Sequence, residues 1–131
     1  MNACTVLLVD DEAEFVDTLA KRLNRRGLVV HTANSGPQAL EIAASTALDV
    51  VVLDVKMPGM DGIEVLEKIK ALKPELEVVM LTAHANVEVA MRGMELGAFD
   101  YLMKPVELDD LLYKIQDANK QKCLNSPGQS R

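Results

Sequence analysis

Three aspartates, a threonine and a lysine stand at the ends of short apolar runs. Asp10 and Asp11 follow "TVLLV" (5–9), and Asp54 follows "VVVL" (50–53). Thr82 closes "EVVMLT" (77–82), and Lys104, with Pro105 behind it, follows "FDYLM" (99–103). An apolar run that ends in charge reads as a buried strand presenting that charge at its mouth. If the mouths share one edge, three carboxylates meet there and repel each other, which raises each pKa unless a cation intervenes. Oxygen ligands on an open edge suit Mg²⁺, which keeps several waters and takes only a few carboxylates. A carboxylate can also attack a phosphoryl group to form an aspartyl phosphate. That chemistry needs positive charge and donors where the transferring oxygens gather. Asp10 and Asp11 are placed to hold the metal, Asp54 to attack, and Thr82 and Lys104 to contact phosphoryl oxygens.

The intervening segments decide whether the mouths share an edge. "EAEFVDTLAKRLNRR" (12–26) places Phe15, Leu19 and Leu23 on one helical face, with Gly27 as its C-terminal stop. "LVVHTA" (28–33) reads as the second strand, with His31 as a surface residue. "NSGPQALEIAAS" (34–45) opens with cap-like residues and an early proline, the pattern of a helix N-terminus. "GIEVLEKIKAL" (62–72) and "NVEVAMRGMEL" (86–96) read as helices, the second weakened by Gly93 and stopped by Gly97. "ELDDLLYKIQDANKQ" (107–121) is the last, with Leu108, Leu111, Leu112 and Ile115 inward. Met91, Met94 and Met103 read as core or interface filler. Strand and helix alternate five times, which predicts an α/β fold: a five-stranded parallel sheet, doubly wound, covered on both faces. In such sheets the site lies at the carboxyl ends of the strands, where all five residues fall.

The bulk properties agree with one domain. The chain has 131 residues, 49% apolar and 26% charged, with a net charge of −6. That charge argues against direct nucleic-acid binding by this domain, since such binding neutralises phosphates with Lys and Arg. It leaves open an output domain on a longer chain. Two cysteines, Cys4 and Cys123, form neither a metal spacing nor a disulfide framework. No apolar run reaches the roughly 18 residues of a membrane span, and the start of the chain lacks signal-peptide character. The expectation is a cytoplasmic protein with no membrane contact.

The motifs "LLVDDE", "VVVLDVKMPGMDG", "MLTAHA" and "FDYLMKP" together resemble the receiver domain of two-component response regulators, over residues 5 to about 118. No main position departs from that pattern. The resemblance implies a flavodoxin-like strand order 2-1-3-4-5, with a receiver over 1–118 and 119–131 as a polar tail or the start of a linker. It implies a phosphorylation-dependent signalling switch rather than an enzyme that turns over a substrate. Asp54 would accept a phosphoryl group from a sensor histidine kinase or phosphotransfer protein. Asp10, Asp11, Asp54 and the backbone carbonyl of Lys56 would bind Mg²⁺, and the Lys104–Pro105 bond would be cis. Thr82 and Tyr101 would switch together. The surface of the fourth helix, fifth strand and fifth helix (around 86–118) would then change toward an output domain or partner, a phosphorylation-dependent dimer being one form. Lys56 and His84 would flank the phosphoryl group and modulate access of water.

Rival chemistries fit less well. A phosphatase or mutase with an aspartate nucleophile carries Asp-x-Asp, and Lys56 stands at the second position here. A receiver reduced to an interaction module usually lacks an acid or the lysine. Neither glycine-rich nucleotide motif is present.

Overall fold

The structure is a computed structural model that describes residues 3–55, 61–82 and 87–125. Strands β1 (Thr5–Val9), β2 (Val29–Ala33), β3 (Val50–Asp54), β4 (Glu77–Thr82) and β5 (Asp100–Met103) form one parallel sheet in the order β2-β1-β3-β4-β5. Between and after them run helices α1 (Ala13–Arg25), α2 (Gly36–Ser45), α3 (Gly62–Leu72), α4 (Val87–Glu95) and α5 (Leu108–Asn125). This is the doubly wound order expected from the sequence.

Strand alternation explains why both faces are covered. Leu7 and Val9 of β1, Val51 and Leu53 of β3, and Val78 and Met80 of β4 share a core with Ala39, Val65 and Ile69 of α2 and α3. Their neighbours Val6 and Leu8, Val50 and Val52, and Val79 and Leu81 share the opposite core with Val16 and Leu23 of α1 and Leu111 and Ile115 of α5. A strand buried on both faces must be apolar at every position. That is why these runs are continuous rather than alternating.

Local signals behave as physics requires. Gly27 sits at φ +94 just past α1, a conformation that Cβ-bearing residues rarely adopt. Ser35 caps α2 by accepting from the Gln38 N–H at 3.3 Å. Gly93 weakens α4 by propensity but sits tight against the sheet. A Cβ there would collide with the thioether of Met80, so α4 lies close on β4.

One expectation is corrected and one is narrowed. The last helix does not end at 121: α5 continues to Asn125. Its final turns are held down by Lys122, whose ammonium lies 3.3 Å from Asp49 Oδ1, while Asp49 Oδ2 accepts the Thr5 N–H at 2.8 Å. For the three methionines, read as core or interface filler, the core alternative drops out. Met91, Met94 and Met103 are all exposed, at 60%, 39% and 42%.

Candidate functional site at the carboxyl edge

Parallel strands bring their carboxyl ends to one rim, and the register fixes what meets there. Val9 pairs with Leu53, so Asp10 lies beside Asp54; Asp54 pairs with Leu81, so Thr82 follows on the next strand. The Lys104 N–H donates to the Thr82 carbonyl at 2.8 Å, which carries β5 past its last residue and aims Lys104 at the rim. The Lys104–Pro105 peptide is cis.

Asp10 is buried and held from all sides. Its N–H donates to the Ala33 carbonyl at 3.1 Å, and its carbonyl accepts from Asn34 Nδ2 at 3.3 Å. Its Oδ1 accepts the Glu12 N–H at 3.0 Å. Its Oδ2 accepts from Lys104 Nζ at 2.9 Å, and the same ammonium reaches Asp54 Oδ2 at 3.5 Å. Glu12 is a looser partner at 3.9 Å, and the Phe15 ring centroid lies 4.9 Å from the ammonium. Burial alone would push the Lys104 pKa down. The hydrogen bond that Lys104 donates to Asp10 and the charges of Asp54 and Asp10 together outweigh it, so the pKa is raised.

Asp10 and Asp54 are buried while Asp11 is exposed, and one carboxylate oxygen from each lies within 4.8 Å of the other two. Three carboxylate oxygens this close could together hold one small hard cation, which prefers oxygen ligands. The ammonium of Lys104, bridging two of them, already shows that this rim recruits positive charge.

Asp10, Asp11, Asp54, Thr82 and Lys104 are thus brought together. Thr82 is 2% exposed, and Tyr101 lies on the same edge strand as Met103 with its ring 39% exposed. Lys56 and His84 lie outside the described residues. Sequence reading took Phe15 as a core residue only, and passed over Glu12 and Asn34. Glu12 carried a signal, since it adjoins the acid pair.

Comparison with known proteins decides the family. The family model of the response regulator receiver domain matches residues 6–116. This chain belongs to the response regulator receiver domains. The receiver is 42% identical over 113 residues to the transcriptional regulatory protein ZraR of Escherichia coli K12, covering 86% of this chain and 26% of that protein. It is 38% identical over 113 residues to the DNA-binding transcriptional regulator NtrC of the same strain, covering 86% and 24%. It thus spans about a quarter of the length of the curated relatives it matches. A CheY-like receiver domain protein from Methanospirillum hungatei superposes with a TM-score of 0.90 at 30% identity, covering 95% of this chain and all of that one. The receiver domain of NtrX from Brucella abortus gives 0.83 at 35% identity, covering 88% and 98%. Receivers are signalling domains rather than catalysts that turn over substrate. Among the described residues, no helix is long and apolar enough to cross a membrane.

Proposed function

We propose that this receiver is a phosphorylation-dependent switch in which Asp54 accepts a phosphoryl group from a phosphohistidine on a sensor kinase or phosphotransfer protein. The observation that carries the reading is the rim itself: three carboxylates within 4.8 Å, with Lys104 between Asp10 and Asp54. An Asp54 carboxylate oxygen attacks phosphorus, the P–O bond forms as the P–N bond breaks, and the imidazole nitrogen takes up the electron pair. Asp10, Asp11 and Asp54, with the Lys56 carbonyl, would hold Mg²⁺, which when bound supplies charge neutralisation for the phosphoryl oxygens. Lys104 contributes a second positive charge on a flexible stem, and Thr82 a hydroxyl donor.

The acyl phosphate adds charge and acceptor oxygens at the rim, which draw Thr82 and Lys104 toward it. Tyr101 turns inward as Thr82 moves. The face of α4, β5 and α5 then changes, and it already exposes Met91, Met103 and Tyr113. Its reader is an output domain or partner, including a second phosphorylated copy, in line with relatives that are named DNA-binding and transcriptional regulators. By their places in the family's motif, Lys56 and His84 would set the lifetime of the phosphoryl group. Both are large and can donate hydrogen bonds, and a protonated His84 would hold the anion more firmly.

Incubation with acetyl phosphate and Mg²⁺ should add the mass of one phosphoryl group. Asp54→Asn should abolish the gain, and a gain at the wild-type level in that variant would overturn the assignment.

A further inference from the structure

We propose that Phe15 is a positioning residue for Lys104, its ring forming the wall that keeps the ammonium aimed at Asp54. This deepens the phosphoacceptor reading and rests on it for its kinetic consequence. Phe15 lies in the first turn of α1, half-buried against the core shared by α1 and α5. The ammonium of Lys104 lies 4.9 Å from its ring centroid, inside the roughly 6 Å over which a ring's negative face attracts a cation.

The wall matters because the other contacts of Lys104 are shared. Asp10 and Asp54 hold it at 2.9 and 3.5 Å, yet both belong to the candidate cation site, so their oxygens answer to two cations. Phosphorylation also converts the Asp54 carboxylate into an acyl phosphate, a mixed anhydride, and so changes the group that faces the ammonium. Glu12, at 3.9 Å and 69% exposed, pulls the other way, toward solvent. A ring face is neither a metal ligand nor a phosphoryl acceptor, so its hold persists through every state of Asp54. A four-carbon stem with 25% exposure otherwise has freedom to swing out.

The test separates ring electrostatics from packing. Phenylalanine carrying one, two or three ring fluorines is placed at position 15 alone; fluorination drains the ring face with little change of shape. Phe15→Leu and Phe15→Met remove the face, and Phe15→Tyr keeps it. The first readout is the ¹⁵N relaxation order parameter of the Lys104 ammonium in metal-free, unphosphorylated protein, which does not depend on Asp54 being an acceptor. It should fall stepwise with fluorination, fall in Leu and Met, and return in Tyr. The second is the rate of phosphorylation at saturating acetyl phosphate and Mg²⁺, expected to drop two- to fivefold in Leu, with Mg²⁺ affinity unchanged. An order parameter indifferent to fluorination would overturn the proposal, as would a loss in Leu that Tyr fails to restore. A wild type that never gains a phosphoryl group would sink the phosphoacceptor reading while leaving the order parameters to judge Phe15.

Discussion

Every polar atom of Asp10 is engaged, through Ala33, Asn34, Glu12 and Lys104, so this carboxylate cannot turn away from the rim. A pre-set ligand favours cation binding by the folded state alone. Mg²⁺ at ten times its Kd should therefore stabilise the domain by about 1.4 kcal/mol, seen as a rise in Tm of about 4–6 °C. Asp10→Asn should lose that rise, and an undiminished rise would remove Asp10 from the ligand set. Cys4, at the opposite edge, makes a different prediction. Its thiol is pushed up to about 12, first by burial and then by the negative charge of Asp49. The unfolded chain releases this proton from about pH 8.5, so the stabilisation is complete below that pH and is lost as pH rises toward the folded value. The gap in urea midpoint between wild type and Cys4→Ala should shift steadily between pH 8 and 10 in the direction of a less stable wild type; a constant gap would contradict the buried thiol. The site acids were legible because each ends an apolar run. Phe15 was not, because its partner Lys104 follows β5, far away in sequence, and spacing along α1 reports only which face is buried.

At the scale of elements, the end of β3 is tied both to β4 and to the start of α3. The Val55 N–H donates to the Leu81 carbonyl at 3.1 Å, and the Val55 carbonyl accepts the Gly62 N–H at 3.2 Å. Gly62 opens α3 in direct contact with that backbone, and a Cβ there would collide with Val55. Gly62→Ala should cost about 1–3 kcal/mol, measured as a lower denaturant midpoint at unchanged slope, and it should disturb phosphorylation at Asp54 as well. Wild-type stability would mean that α3 can move off the sheet freely. Strands and most helices were legible because periodicity records burial, and the continuous runs of β1, β3 and β4 leave little else to be. The end of α5 was not, because residues 119–125 are mostly polar and are held by Lys122 reaching Asp49 across the sheet's amino edge. Likewise Gly93 reads as a weakness in sequence and as a close packing contact in space.

For the whole molecule, the proposed switch makes the rim and the α4–β5–α5 face two ends of one equilibrium. To carry the population from 1:99 to 99:1, the phosphoryl group must favour the active state by about 5.5 kcal/mol. Beryllofluoride with Mg²⁺ should shift amides across residues 82–118, and Thr82→Ala should still load while shifting that face less. Changes confined to α1, α2 and β2 would count against this coupling. The architecture also bears on how the chain reaches its native state. Lys104 meets Asp10 and Asp54 across 94 and 50 residues of sequence, and β1 lies between β2 and β3, so it cannot be flanked on both sides until the third strand has been made. Non-local pairings of this kind form late, after their loop-closure entropy has been overcome. A partly folded chain, or one truncated before β5, therefore has the acids without the lysine. On the proposed reading of Asp54, competence to receive a signal is in that sense a certificate of complete folding, since Lys104 reaches the acids only once β5 has joined the sheet.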